Sequence, residues 1–149
     1  MARDWQLVVD AGDPHVLADF WAEALGYRVE QNADLIQELL AAGRAQESDA
    51  VVHRGVVSWS GLAAICHPDD LAERQKQTGS ARRILFQQVP ESKAGKNRVH
   101  IDISVGPDAL APEVARLQQL GASVLAEQHA FGSHFFTMAD LEGNEFDVQ

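Results

Sequence analysis

The stretch KNRVHIDISV, residues 96–105, sets an imidazole and a carboxylate two positions apart, His100 and Asp102. Read as a strand, its period of two puts Val99, Ile101, Ile103 and Val105 on one face and His100, Asp102 and Ser104 on the other. Such a pair has three uses: a metal ligand with its orienting partner, a general acid–base group working without metal, or a neutral ring hydrogen-bonded on a half-buried face. The residues alone leave all three open.

Other reactive types give weaker signals. His134, Phe136 and Met138 share one face of SHFFTMA, with Phe135 opposite. That face either lines a pocket together with Trp59 or belongs to the core. Cys66 precedes His67, but neighbours on a strand point to opposite faces, so Cys66 reads as a small inert hydrophobe. DLEGNE lacks the alternating acidic ligands of a calcium loop and reads as a turn. Neither a glycine-rich phosphate loop nor a nucleophile elbow is present, which argues against nucleotide hydrolysis and serine-hydrolase chemistry.

These residues sit in a chain of 149 residues with an apolar fraction of 46% and a net charge of −10. That length suits one domain, or two small modules sharing a core. The acidity argues against nucleic acid as a partner. No apolar run is long enough to span a membrane, and MARDWQLVVD lacks a signal peptide's apolar core. A single cysteine allows no internal disulfide or multi-cysteine zinc site and suggests a reducing cytoplasm. Seven of the twelve basic residues fall between 74 and 98: Arg74, Lys76, Arg82, Arg83, Lys93, Lys96 and Arg98. They are either a solvated flank or an electropositive rim for an anionic small molecule.

The positioning elements follow from periodicity. WQLVVD is a strand with Trp5, Leu7 and Val9 on one face and Gln6, Val8 and Asp10 on the other. Asp13 and Pro14 open a helix with its stripe at Leu17, Phe20, Trp21 and Ala24, closed by Gly26. YRVE is a short strand, and ADLIQELLAAG a second helix ending at Gly43. Residues 50–66, rich in β-branched side chains, read as two strands. PDDLAERQKQTGSA is a polar loop with one helical turn, and RRILFQQV is a strand. PESKAGKN is the linker. Beyond it the order restarts: a strand, a helix anchored by Val114, Leu117 and Leu120 and ended by Gly121, then SVLAE, SHFFTMA and NEFDVQ as strands. EALGYRVE and QQLGASVLAE occupy matching places, so both halves read strand–helix–strand–strand–strand, with residues 31–50 inserted in the first. The boundaries are 1–90 for module one, 90–97 for the linker and 98–149 for module two.

Three stretches, DAGDPHVLADFWAEALGYRV, KNRVHIDISV and MADLEGNEFDVQ, resemble the vicinal oxygen chelate superfamily of glyoxalases, bleomycin- and fosfomycin-resistance proteins and extradiol dioxygenases, and within it the glyoxalase-like branch. The resemblance implies an α+β fold: residues 1–149 as one glyoxalase-like domain of two βαβββ modules, each curling a mixed sheet into an open half-barrel with helices on the outer face. It implies metal ligands at Gln6, Gln87, His100 and Asp147, with His100 and Asp147 catalytic. It also sets Asp102 and Glu145 along the cavity, with Asp10 a further group that could complete a site for a divalent Zn, Ni, Mn or Fe ion; Trp59, His134 and Phe136 join the cavity lining if the SHFFTMA face is the concave one. Two of the four ligand positions are amides, which supply neither charge nor strong donation. Gln also cannot move the proton that glyoxalase chemistry requires. These departures disfavour lactoylglutathione lyase activity. Two functions follow: a metal-dependent lyase, isomerase or dioxygenase-like enzyme, or a metal-free module that sequesters a small ligand. A homodimer is the expected assembly, since half-barrel edges leave apolar surface to cover.

Overall fold

The computed structural model describes residues 5–71 and 82–149. The fold is α+β, with three helices and curled, open sheets among the described residues. One compact unit runs to Ala22 and resumes over Gly26–Pro90; the other comprises Glu23–Leu25 and Glu91–Gln149.

In the first unit, β1 (Leu7–Ala11) leads into α1 (Pro14–Leu25), followed by β2 (Arg28–Val29), α2 (Ala33–Ala41), β3 (Ala50–His53), β4 (Val56–Trp59), β5 (Leu62–Cys66) and β6 (Arg83–Gln88). Its main sheet has the order β1-β6-β5-β2. The α1 start follows from its residues: the Asp13 carboxylate accepts from the backbone N–H groups of His15 at 3.0 Å and Val16 at 3.1 Å, and Pro14 occupies the first helical position. Gly26 ends it at φ 68°, a left-handed conformation that glycine adopts without strain. Leu17, Phe20, Trp21 and Ala24 are buried, as their spacing predicts. The alternation of β1 and β6 leaves Ile84 and Phe86 buried on one face, and Gln6, Val8 and Asp10 exposed on the other. In α2 only Ile36 is fully buried, and Leu35 is exposed.

Residues 50–66 form three strands where two were expected, because β3 and β4 pair only with each other. The β-branched run exceeds what one hairpin can hold, and Gly55, at φ 80°, folds its first part back on itself. The material separating the second and third strands of the main sheet is therefore residues 30–61, more than the 31–50 read from the sequence. The loop expected after β5 begins with the short 3-10 turn Pro68–Asp70; its remainder lies largely outside the described residues, with Arg74 and Lys76.

The second unit holds β7 (Asp102–Ile103), α3 (Leu110–Gln119), β8 (Ser123–Ala130), β9 (Ser133–Ala139) and β10 (Glu145–Val148). Its sheet has the order β7-β10-β9-β8. Both main sheets thus place their first strand parallel to their last and pair the other two antiparallel. The repeat is real at the level of topology. Leu110, Val114 and Leu117 of α3 are buried, as are Met138, Phe146 and Val148 of the sheet that α3 covers at β8 and β10.

The strand expected over RVHIDISV is shorter, and Val99 is 73% exposed. The parallel ladder with β10 pairs only Asp102 with Asp147 and Ile103 with Val148, and the Asp147 and Gln149 N–H groups donate to the Ile101 and Ile103 carbonyls. Upstream, the backbone N–H of Asn97 donates to the Glu145 carboxylate instead of to a strand.

Candidate functional site

In the second unit, the β7–β10 register brings Asp102 and Asp147 side by side. His100, two residues ahead of Asp102, reaches both: its Nε2 lies 3.3 Å from Asp102 Oδ1 and 3.6 Å from Asp147 Oδ2. All three offer ligand atoms within 4.8 Å of one another. Asp147 is the most sheltered, with its side chain 20% exposed against 46% for Asp102. The Gln149 amide donates to Asp102 Oδ2 at 3.4 Å, which orients that carboxylate.

Glu145, two residues before Asp147 on the same face, is otherwise engaged. It accepts from the Asn97 N–H at 3.0 Å and pairs with Lys93 Nζ at 3.1 Å. The Asn97 hydrogen bond foremost, with the Lys93 ammonium adding to it, holds its carboxyl down to about 2. Phe136 pairs with Val148 and Met138 with Phe146, so both lie on the buried core face, while Thr137 shares the other face with Asp147. His134 lies further out on β9, where its Nε2 donates to Glu127 at 2.8 Å.

Gln6 and Gln87 belong to the first unit. Gln6 precedes the paired segment, and its Oε1 accepts from Arg83 at 2.8 Å; Arg83 in turn makes a two-pronged, largely buried pair with Glu30. Gln87 stands opposite Asp10, four residues further along, about 13 Å from the level of Gln6 at strand rise. With Gln6 matched to His100, the register puts Leu85, paired with Val8, at the place of Asp147. Gln87 follows from the resemblance, whereas matching the two modules by register singles out Leu85. Trp59 lies on the β3–β4 hairpin, where its carbonyl accepts from His15 Nε2 at 2.8 Å.

Of the five described residues of the basic stretch, Arg82, Arg83 and Lys93 are paired with carboxylates. Arg82 makes two side-chain hydrogen bonds to Asp70, and these above all hold the Asp70 carboxyl down to about 2. Arg83 is on Glu30 and Lys93 on Glu145. Cys66 is fully buried. DLEGNE is a turn organised by buried Asp140, whose oxygens take the backbone N–H groups of Glu142 and Asn144 and the Asn144 amide. Among the described residues, no helix is long and apolar enough to cross a membrane.

Two modules, each closed by a parallel pairing of first and last strand, have the architecture of the vicinal oxygen chelate superfamily, and comparison with known proteins agrees. The family model described as "Glyoxalase-like domain" matches residues 6–149, and the chain belongs to that family. The fosfomycin resistance protein FosX from Mesorhizobium loti matches with a TM-score of 0.62 and 11% identity, over 100% of this chain and 91% of that one. A glyoxalase/bleomycin resistance protein/dioxygenase family enzyme from Burkholderia phytofirmans PsJN matches with a TM-score of 0.59 and 11% identity, over 96% and 94%. A variant of FosX from Listeria monocytogenes, complexed with Mn(II) and 1S,2S-dihydroxypropylphosphonic acid, matches with a TM-score of 0.60 and 9% identity, over 100% and 90%. No curated protein sequence matches the chain.

Proposed function

We propose that this protein is a metal-assisted lyase or isomerase of a small oxygen-rich molecule, with its chemistry centred on His100. The observation that carries this reading is the approach of His100 Nε2 to Asp102 Oδ1 at 3.3 Å and Asp147 Oδ2 at 3.6 Å. An imidazole and a carboxylate are donors that suit a divalent ion, and a second carboxylate stands beside them. Such an ion, when bound, polarises a substrate oxygen as a Lewis acid. His100 and the more sheltered Asp147 are the residues to hold it. Asp102, more exposed, remains to accept a proton from carbon next to a carbonyl. That division removes the conflict Asp147 alone would face as both ligand and base. Lactoylglutathione lyase activity is disfavoured because Gln6 offers an amide whose oxygen a guanidinium already occupies. The relative carrying Mn(II) puts Mn²⁺ beside Zn²⁺, Ni²⁺ and Fe²⁺ as an ion to try.

The test is Mn²⁺ binding followed by electron paramagnetic resonance in the wild type and His100→Ala. The expected loss of affinity is on the order of 100-fold or more, since even partners outside the ligand shell are worth 10–100-fold. Equal binding by both would remove the reading.

The commitment of Gln6 to Arg83 favours a second reading, a metal-free module sequestering a small ligand. Thermal stabilisation by aromatic or anionic compounds in the presence of chelator would favour it. In either case we expect a cytoplasmic homodimer, and a monomeric mass in solution at micromolar concentration would contradict that assembly.

A further inference from the structure

We propose that the tip of the β8–β9 hairpin is a second metal site, built from Glu127, His129 and His134 for a borderline divalent ion such as Zn²⁺. It is independent of His100: no residue is shared, and the three ligands come from two adjacent strands. Glu127 and His129 are two apart on β8 and so point to one face, and His129 is the cross-strand partner of His134 on β9. The two imidazoles stack with centroids 4.3 Å apart and planes 10° from parallel. Both present Nε2 to one oxygen, Glu127 Oε1, at 2.8 Å from His134 and 3.7 Å from His129. The three ligand atoms lie within 4.8 Å of one another, so small rotations would bring them onto one ion.

The donor chemistry selects the ion. Two imidazoles and a carboxylate suit Zn²⁺ and its neighbours in the transition series better than Ca²⁺ or Mg²⁺, which want oxygen alone. Three protein ligands leave a fourth position for water or an incoming group, and the recess at the tip, about 390 Å³ and lined by residues 129–134, is open to receive one. The turn supports the arrangement. Phe131 at φ 54° and Gly132 at φ 76° make a two-residue connection with both central residues left-handed, the geometry that matches strand twist and fixes register. A phenylalanine in that conformation is strained, and this one is fully exposed. The register it enforces is what sets His129 opposite His134. All three ligands are exposed and none is needed for the core.

The experiment titrates Zn²⁺ into the His100→Ala protein and into His100→Ala/His129→Ala/His134→Ala, at pH 7.5, by calorimetry. Nuclear magnetic resonance follows the ring protons of His129 and His134. His100→Ala is expected to bind one equivalent, with both hairpin rings shifting together, and the triple variant to lose at least 100-fold in affinity at an unchanged melting temperature. Failure of His100→Ala to bind Zn²⁺ at 0.1 mM, or equal binding by the two proteins, would overturn the site. Because His100 is absent from both, the result is separate from the fate of the His100 reading.

Discussion

In the first module, Gln6 just ahead of the first strand and Val8 and Asp10 within it share a face, with Val8 paired to Leu85 and Asp10 to Gln87 of the last strand. In the second, the matching positions are His100, Asp102 and Ser104 beside Asp147 and Gln149. Strand order, parallel closure and the apolar faces are the same in both. The donors are not. One module carries an imidazole and two carboxylates, the other an amide, a valine and a leucine, with Arg83 and Glu30 locking the amide in place. Duplicated topology therefore constrains the core face, where every change costs packing, and leaves the opposite face free to diverge. The modules also differ in their connections: two residues join β8 to β9, whereas residues 30–61 separate the corresponding strands of the first.

The widest separation between the modules should come from their matching positions. Gln6→Ala should leave Mn²⁺ binding within about two-fold of wild type, against the loss of on the order of 100-fold expected for His100→Ala. Equal losses would mean that both modules supply ligands. Conversely, Gln6→His/Val8→Asp/Leu85→Asp should give the first module a further, weaker equivalent of metal, weaker because the Arg83 guanidinium stands beside it.

A middle-sized difference lies at the helix ends. Gly26 caps α1 at φ 68° with nothing within 4 Å of an added Cβ, whereas Gly121, after α3, combines φ 108° with a Cβ position 2.6 Å from Leu141 Cδ2. Gly26→Ala should cost about 1–2 kcal/mol for the left-handed conformation alone. Gly121→Ala should cost more, about 2–3 kcal/mol, chiefly because φ 108° lies beyond the left-handed well; the exposed tip of Leu141 can swing aside. Urea denaturation of the two variants measures the order.

The smallest effect concerns Glu145. Its folded carboxyl is held at about 2, below its ordinary 4.5, so its contribution to stability is fully present above 4.5 and disappears as pH falls through about 2. Glu145→Gln should therefore take up roughly one proton fewer on unfolding between those pH values, so its stability should fall less steeply as pH drops from about 4.5 towards 2. Stability curves from pH 2 to 6 provide the check; identical slopes would show that the Asn97 and Lys93 contacts do not persist in solution.

Much of this was legible from local chemistry. Asp13, Pro14 and Gly26 specify where α1 begins and ends, because capping is a property of a few adjacent residues. Helical spacing assigned Leu17, Phe20, Trp21 and Ala24 to the core, and the recurrence of strand and helix signals revealed the repeat. The sequence marked His100 as the residue to watch and placed Asp102 beside it on the strand. What it could not decide were matters of register and length between distant strands. The pairing of Leu85 with Val8 and of Gln87 with Asp10, the shortness of β7, the third strand in residues 50–66 and the meeting of Glu127, His129 and His134 each depend on which backbone N–H finds which carbonyl across the sheet. Those pairings are non-local and shift in steps of two without changing the face a side chain occupies, so alternation alone is blind to them.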